Sequence, residues 1–93
     1  MIRRMPRIEF TQQLRRFTET PVVETRATTL REALEAAFAV NPRLRGYVLD
    51  DQAHLRANLV VFIDGRRSDD RVLLAEPLAP DSRVHVLQAL SGG

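Results

Sequence analysis

The segment at residues 29–40 (TLREALEAAFAV) is the clearest helix in this chain, and it limits how the rest can fold. Thr29 and Glu32 have the spacing of a capping box, in which two side chains satisfy free N–H groups at a helix start. The side chains that follow at helical spacing on one face are apolar: Leu30, Ala33, Leu34, Ala37 and Phe38. Asn41-Pro42 ends the helix, because proline disfavours helical geometry in the residue before it. A helix with one apolar face must bury that face against a second layer.

Two strands joined as a hairpin are expected before the helix. Residues 7–11 alternate in polarity, with Ile8 and Phe10 on one face, as in a half-buried strand. Residues 21–27 contain valines and a threonine and are typical of the second strand. The polar connection at residues 12–20 is long for a simple hairpin loop, so we expect a helical turn within it.

Two further strands are expected after the helix. Residues 59–63 (LVVFI) form an apolar, β-branched run that predicts a strand buried on nearly both faces, and Asp64-Gly65 predicts a turn behind it. Residues 83–88 alternate again. Val84 and Val86 fall on one face of this last strand, and the opposite face carries Arg83, His85 and Leu87.

The order of these elements predicts the fold class. A hairpin, a crossing helix, a strand, a short apolar piece at residues 72–74 and a final strand give an α+β fold, in which one main helix packs on one face of a mixed sheet. This is the β-grasp arrangement, with the first and last strands adjacent at the centre. The chain has 93 residues, so residues 1–93 are expected to form one domain, with a flexible diglycine tail at residues 89–93.

Composition narrows the possible functions. The chain has no cysteine, which excludes disulfides, thiolate catalysis and cysteine-ligated zinc. All 14 basic residues are arginine, 12 acidic residues accompany them, and only one Tyr and four Phe are present, so we expect no nucleic-acid partner. No apolar run approaches the roughly 20 residues that span a bilayer, and residues 1–10 lack the apolar core of a signal peptide. We therefore expect a cytoplasmic protein without a membrane partner.

Side chains that could serve an independent enzyme are sparse. His54 lies in a polar turn region and His85 on the exposed face of a strand, where surface histidines are the simplest interpretation. Asp50-Asp51 lacks the further ligands of a calcium loop. We expect no metal site, no bound cofactor and no catalytic activity of the chain itself.

The last two residues, Gly92-Gly93, carry a different kind of chemistry. Glycine lacks a Cβ, so this backbone can enter a narrow channel and approach another molecule closely. An α-carboxyl has a pKa of about 3.3–3.7 and is ionised at neutral pH, which makes it a poor acyl electrophile. Adenylation by ATP would activate it, and a sulfur donor could then replace AMP to give a thiocarboxylate. Taken alone, a terminal diglycine is also compatible with a plain flexible tail.

Four segments of the chain resemble the MoaD/ThiS family, the small subunits of molybdopterin synthase and the sulfur carriers of thiamine synthesis. They are PRLRGYVLDDQAHLRANLVVFIDG (42–65), LAEPL (74–78), DSRV (81–84) and LQALSGG (87–93). The resemblance implies a ubiquitin-like β-grasp fold. It also implies adenylation of Gly93 by a ubiquitin-activating-type adenylyltransferase that uses ATP, storage of sulfur on Gly93, and access of the tail through Gly92.

The same resemblance implies that the outer face of the central strands docks the partners, including a sulfur-accepting synthase subunit. Thr11, Arg15, Leu87 and Leu90 are the candidate partner-binding residues. Strand alternation places Leu87 opposite Val84 and Val86, so it is either an interface residue or covered by loops. The carrier alone is expected to be a monomer.

Two other functions remain open. A ubiquitin-like protein modifier, joined through Gly93 to lysines of targets, would use the same fold and tail; lacking lysine, this chain could not build lysine-linked chains on itself. A non-catalytic β-grasp interaction module would retain its function after deletion of Gly92 and Gly93.

Overall fold

A five-stranded mixed sheet forms the centre of the structure, a computed structural model that describes residues 4–89. Its strands, in chain order, are β1 (Arg7–Phe10), β2 (Val23–Glu24), β3 (Leu59–Ile63), β4 (Arg66–Arg67) and β5 (Arg83–Gln88). Their order in space is β2-β1-β5-β3-β4. Two α-helices, α1 (Leu30–Val40) and α2 (Arg45–Val48), and two 3-10 helices, Gln12–Arg16 and Pro42–Leu44, complete the secondary structure of the described residues.

The first and last strands are neighbours at the centre of the sheet, as the sequence predicts. β1 runs parallel to β5, with Phe10 beside Val86, and β3 runs antiparallel to β5, with Val61 beside Val86. The α+β prediction of a mixed β-grasp sheet with one main helix on one face is therefore confirmed.

Helix α1 begins at the predicted capping box. The Glu32 N–H donates to Thr29 Oγ1 at 3.3 Å, and Glu32 Oε1 accepts the N–H of Thr29 at 3.2 Å. The N–H of Thr28 also donates to Glu32 Oε1, at 2.7 Å, and this bond is the main reason that the pKa of Glu32 is lowered. Two orphan N–H groups at the helix start are thus satisfied by side chains of the same segment.

The core lies between α1 and one face of the sheet. All the apolar helix positions predicted from the periodicity are buried: Leu30, Ala33, Leu34, Ala37 and Phe38. The sheet contributes its own alternating set, which consists of Ile8, Leu59, Val61, Ile63, Val84 and Val86. A strand exposes every second side chain on the opposite face, so the side of the sheet away from α1 has a different composition.

One local prediction was wrong in extent. The second strand covers two residues rather than 21–27, because β2 lies at the edge of the sheet and pairs only with β1. The short apolar piece at residues 72–74 is a loop, held by the carboxylate of Asp70, which accepts the N–H groups of Val72, Leu73 and Ala75. Strand β4 has no counterpart among the predicted elements.

No helix within residues 4–89 is both long and apolar enough to cross a membrane.

Candidate functional site

The side of the sheet away from α1, which we call the outer face, carries the candidate docking residues. Alternation from the buried positions places nine side chains there: Arg7 and Glu9 of β1, Glu24 of β2, Arg83, His85 and Leu87 of β5, Val60 and Phe62 of β3, and Arg67 of β4. Five of the nine are charged, but strands β3 and β5 also contribute apolar groups. The face therefore has an apolar strip and a charged strip.

The apolar strip consists of Val60, Phe62 and Leu87. Val60 lies directly opposite Leu87 in the antiparallel register of β3 and β5. Leu87 is 39% exposed, so no loop of the described residues covers it. This exposure favours the interpretation of Leu87 as an interface residue over the one that requires covering loops. Sequence reasoning missed Val60 and Phe62, because the unbroken run LVVFI hides the alternation that would mark them.

The charged strip is organised around Glu9. Arg7 Nε lies 3.1 Å from Glu9 Oε1, and His85 Nε2 lies 4.0 Å from Glu9 Oε2. Surface pairs of this kind contribute at most about 1 kcal/mol to stability. These pairs mainly affect the local charge distribution. They place the carboxylate of Glu9 between the Arg7 guanidinium and the His85 imidazole, beside the apolar strip. The prediction that His85 lies on the exposed side of its strand is confirmed.

The predicted residues Thr11 and Leu87 lie together. Thr11 follows the last residue of β1, and its N–H donates to the carbonyl of Val86 at 2.7 Å, which continues the register and places it beside Leu87. Arg15 lies elsewhere, in the 3-10 helix Gln12–Arg16, where its Nε donates to Thr20 Oγ1 at 3.3 Å. The structure thus brings two of the predicted docking residues together on the outer face and places the third on the following turn.

The chain leaves the sheet from its central strand. Gln88 pairs with Leu59, and the N–H of Ala89 still donates to the carbonyl of Asn58 at 2.8 Å. The tail is therefore anchored through Ala89. The remaining predicted site residues, Leu90, Gly92 and Gly93, lie outside the described residues.

A turn between β3 and β4 fixes the other end of β5. Asp64 Oδ1 accepts the N–H of Arg83 at 2.8 Å, and Asp64 Oδ2 accepts the hydroxyl of Ser82 at 2.9 Å. These bonds, the Arg83 bond foremost, lower the pKa of Asp64. Asp64 and Gly65 have φ angles of 52° and 83°, the left-handed values that a tight hairpin turn requires. The Asp-Gly dipeptide predicted this turn correctly.

Within residues 4–89, no group of three or more His, Cys, Asp or Glu side chains comes together to hold a metal ion. What the outer face can do chemically is bind another protein surface through apolar contact and charge.

Comparison with solved structures identifies the same fold in archaeal proteins. Small archaeal modifier protein 1 from Haloferax volcanii matches with a TM-score of 0.72 at 19% identity, over 94% of this chain and 99% of that one. The modifier protein 1 from Methanosarcina acetivorans matches with a TM-score of 0.71 at 19% identity, over 100% of both chains. The HVO 2177 protein of Haloferax volcanii matches with a TM-score of 0.65 at 20% identity, over 97% of this chain and 87% of that one.

A search of curated proteins gives no match. The family model described as "ThiS family" matches residues 8–93, which include β1 from Ile8 onward, the other four strands of the sheet, helix α1 and the diglycine. The predicted resemblance is thereby confirmed. This chain has the ubiquitin-like β-grasp fold and belongs to the ThiS family of small carrier proteins, which are not themselves catalysts.

Proposed function

We propose that this protein is a sulfur carrier that holds sulfur as a thiocarboxylate on Gly93. The observation that supports this most is the extent of the family match, which runs through Gly93 itself. Four residues, 90–93, follow the anchored Ala89. Fully extended, four residues reach about 14 Å. An enzyme that activates Gly93 must therefore place its active site close to this end of β5 and contact the surface around it.

The proposed reaction has two steps on Gly93. A carboxylate oxygen of Gly93 attacks the α-phosphorus of ATP, and the bond to pyrophosphate breaks, which gives the acyl-adenylate. A sulfide nucleophile then attacks the acyl carbon, the C–O bond breaks, and AMP leaves with its electron pair. The resulting thiocarboxylate is a stronger nucleophile than the carboxylate and can transfer its sulfur to an acceptor. A ubiquitin-activating-type adenylyltransferase would supply the ATP site, and the chain itself binds no cofactor.

We propose the outer face as the docking surface for this enzyme and for a sulfur-accepting synthase subunit. The apolar strip of Val60, Phe62 and Leu87 lies on β3 and β5, and the tail leaves from the end of β5. Full burial of a leucine side chain from water is worth about 1.5–3 kcal/mol, and Leu87, which is 39% exposed, would contribute the corresponding part of this on docking. Thr11 extends the proposed surface toward the tail, and Leu90, which follows Ala89 in the sequence, is a further proposed contact. We also propose that the sulfur goes to a product of the molybdopterin or thiamine kind and that the carrier works in the cytoplasm.

A second candidate function is protein modification. Two of the solved structures of the same fold are named as modifier proteins, which favours this candidate. The same acyl-adenylate would then react with a lysine amine of a target, with release of AMP and formation of an amide at Gly93. This chain contains no lysine, so a second copy could not be added to a lysine of the first.

Intact-mass measurement distinguishes these functions. The protein is purified with a free C-terminus and incubated with ATP, a sulfide source and the activating enzyme of its own organism. The carrier proposal expects a species heavier by the difference between one sulfur and one oxygen. Deletion of Gly93 should abolish this species, whereas Gly46→Ala, a change in a helix where the added Cβ meets no atom within 4 Å, should retain it. If the only product is an amide between Gly93 and lysines of target proteins, the modifier function is supported instead. If neither product forms, the remaining candidate is the non-catalytic interaction module.

A further inference from the structure

A groove of about 590 Å³ lies between the first connection of the chain and the end of α1. We call it the end groove. It is lined by residues of two segments that are distant in sequence: Arg15, Arg16, Phe17, Thr18, Glu19, Thr20 and Pro21 on one side, and Val40 and Asn41 on the other. Two of its apolar side chains are among the most exposed in the protein, since Phe17 is 58% and Val40 is 63% exposed. Large exposed apolar groups that line one groove are typical of a protein-binding site.

The exposed aromatic ring of Phe17 in the end groove is supported on one face by a second aromatic ring. Phe17 stacks on Tyr47, with ring centroids 5.5 Å apart and an angle of 20° between the ring planes. Its backbone N–H donates to the carbonyl of Leu14 at 3.0 Å. Phe17 therefore presents a free ring face whose orientation is already restricted. Binding to such a side chain costs less conformational entropy than binding to a freely rotating one.

The two walls of the end groove are tied together by Asn41. Its Nδ2 donates to Thr18 Oγ1 at 2.8 Å and to the carbonyl of Glu19 at 2.7 Å. Its Oδ1 accepts the N–H of Arg43 at 3.3 Å, which fixes the amide in this orientation. The walls thus keep their spacing without a partner.

The charge on the rim of the end groove is positive. Arg15 and Arg16 are exposed, and neither forms an ion pair with a residue of the described range. Glu19 is the one acidic residue of the lining. An arginine pair beside a fixed aromatic ring is complementary to an acidic segment that also carries an apolar side chain, because the guanidinium groups pair with carboxylates while the ring buries the apolar group.

The end groove lies at the same end of the sheet as the tail. β1 and β5 are parallel, so their carboxyl ends point in one direction, and the 3-10 helix Gln12–Arg16 starts directly after Thr11, beside the end of β5. A 3-10 helix rises by about 2 Å per residue, so Arg16 lies within roughly 10 Å of Thr11 along the helix axis. The groove is therefore near the end of β5 from which the tail leaves.

We propose that the end groove binds an acidic segment with an apolar anchor on the enzyme that activates Gly93, as a contact separate from the apolar strip of the outer face. This inference rests on the proposed function, because it needs that enzyme. Arg15, which the sequence had suggested as a docking residue, then acts here together with Arg16 and Phe17.

Kinetics of adenylation test the proposal. Pyrophosphate exchange is followed with the activating enzyme of the same organism, and KM and kcat are determined for the intact chain and its variants. Arg16→Glu and Phe17→Ser should each raise KM about tenfold with kcat unchanged, because they remove binding rather than chemistry. Arg16→Lys should retain most of the affinity. Added salt should raise the KM of the unmodified chain more than that of Arg16→Glu.

Matched controls lie outside the end groove. Arg26→Glu makes the same charge change near the start of β1, where the neighbouring N–H of Thr25 donates to Pro6. Leu73→Ser removes another exposed apolar group, one that is 69% exposed and does not line the groove. Both controls should leave KM within about twofold of the unmodified chain. Thermal unfolding is measured to check that each variant is folded. If Phe17→Ser does not fold, the KM of Arg16→Glu decides the outcome.

The outcomes separate the two proposals. If the unmodified chain is adenylated and Arg16→Glu matches Arg26→Glu in KM, the end groove is not a docking site and the carrier proposal stands. If the unmodified chain is not adenylated at all, the carrier proposal fails, and the assignment of the groove to its activating enzyme fails with it.

Discussion

Leu87 and Val60 face each other across the β3–β5 pair, on the side of the sheet away from α1, and only one of them is covered. Val60 is 8% exposed, whereas Leu87 is 39% exposed. Cross-strand neighbours on one face contact each other, so Leu87 forms part of the cover of Val60 while its own outer surface stays in water. A substitution of Leu87 can therefore have a small effect on the free energy of unfolding and a large effect on the binding of a partner.

Replacement of Leu87 should therefore impair docking more than folding. We expect Leu87→Asp to change the free energy of unfolding by less than about 1 kcal/mol, since the side chain is partly exposed, and to raise KM for adenylation by tenfold or more. Leu73→Asp, an equally drastic change at an exposed position away from the outer face, should leave KM unchanged. If the two variants have equal KM values, Leu87 is not part of the docking surface.

The capping box of α1 gives a stability prediction. Thr29→Ala removes the acceptor of the Glu32 N–H and should lower the free energy of unfolding by about 1 kcal/mol. For a protein of this size, that corresponds to a fall in Tm of about 4–8 °C. Thr25→Ala is the control, because the Thr25 hydroxyl forms no hydrogen bond with a residue in the range 4–89. An unchanged Tm for Thr29→Ala would show that the cap does not stabilise α1.

Asp64 gives a prediction about pH. Its pKa is lowered in the folded protein, by the Arg83 N–H first and the Ser82 hydroxyl second. A lowered folded-state pKa means that the carboxylate stabilises the fold above the unfolded-state value of about 3.9 and that this contribution is lost as pH falls through the folded-state pKa. In urea unfolding, Asp64→Asn should therefore be less stable than the unmodified protein at pH 7, with the difference shrinking below about pH 4.

The control for this pH experiment is Asp51→Asn, at an exposed residue of the turn that follows α2. It should differ little from the unmodified protein across the same pH range. A stability difference for Asp64→Asn that is as large at pH 3 as at pH 7 would contradict the assigned role of the Asp64 carboxylate.

The two described glycines should respond to alanine in opposite ways. Gly65 has a φ of 83°, where an L residue is strained, so Gly65→Ala should lower the free energy of unfolding by about 1–2 kcal/mol. Gly46 lies within α2, and a Cβ there meets nothing within 4 Å, so Gly46→Ala should be neutral or stabilise by up to about 1 kcal/mol. Chemical denaturation of both variants measures the difference, and a stabilised Gly65→Ala variant would refute the turn geometry.

Much of the fold could be predicted from the sequence, because periodicity reports which side chains share a face. The alternation of Val84 and Val86 with His85 and Leu87 gave the orientation of β5 correctly, and the capping box gave the first residue of α1. Strand β4 could not be predicted. Arg66 and Arg67 have no apolar pattern, and they form a strand only because β3 offers them a partner.

The parts of the candidate site that depend on tertiary contacts were not accessible to this reasoning. The end groove joins Phe17 with Val40, and no local pattern relates these two positions. Leu74 is another case: the sequence marks it only as part of a short apolar piece, and the structure buries it fully, with a φ of 54°, in a loop held by the Asp70 carboxylate. Arg31 also contributes there, through hydrogen bonds to the carbonyls of Leu73 and Val72, over more than 40 residues of sequence.

The central position of β5 also has a mechanical consequence. A partner that draws Gly93 into its channel pulls along the axis of β5, which is bonded to β1 on one side and to β3 on the other. A force in this direction acts parallel to the strands, so it strains the hydrogen bonds of the β1–β5 and β3–β5 pairs all at once. It does not break them one after another. In the proposed carrier function, this lets a partner hold the tail while the sheet stays intact.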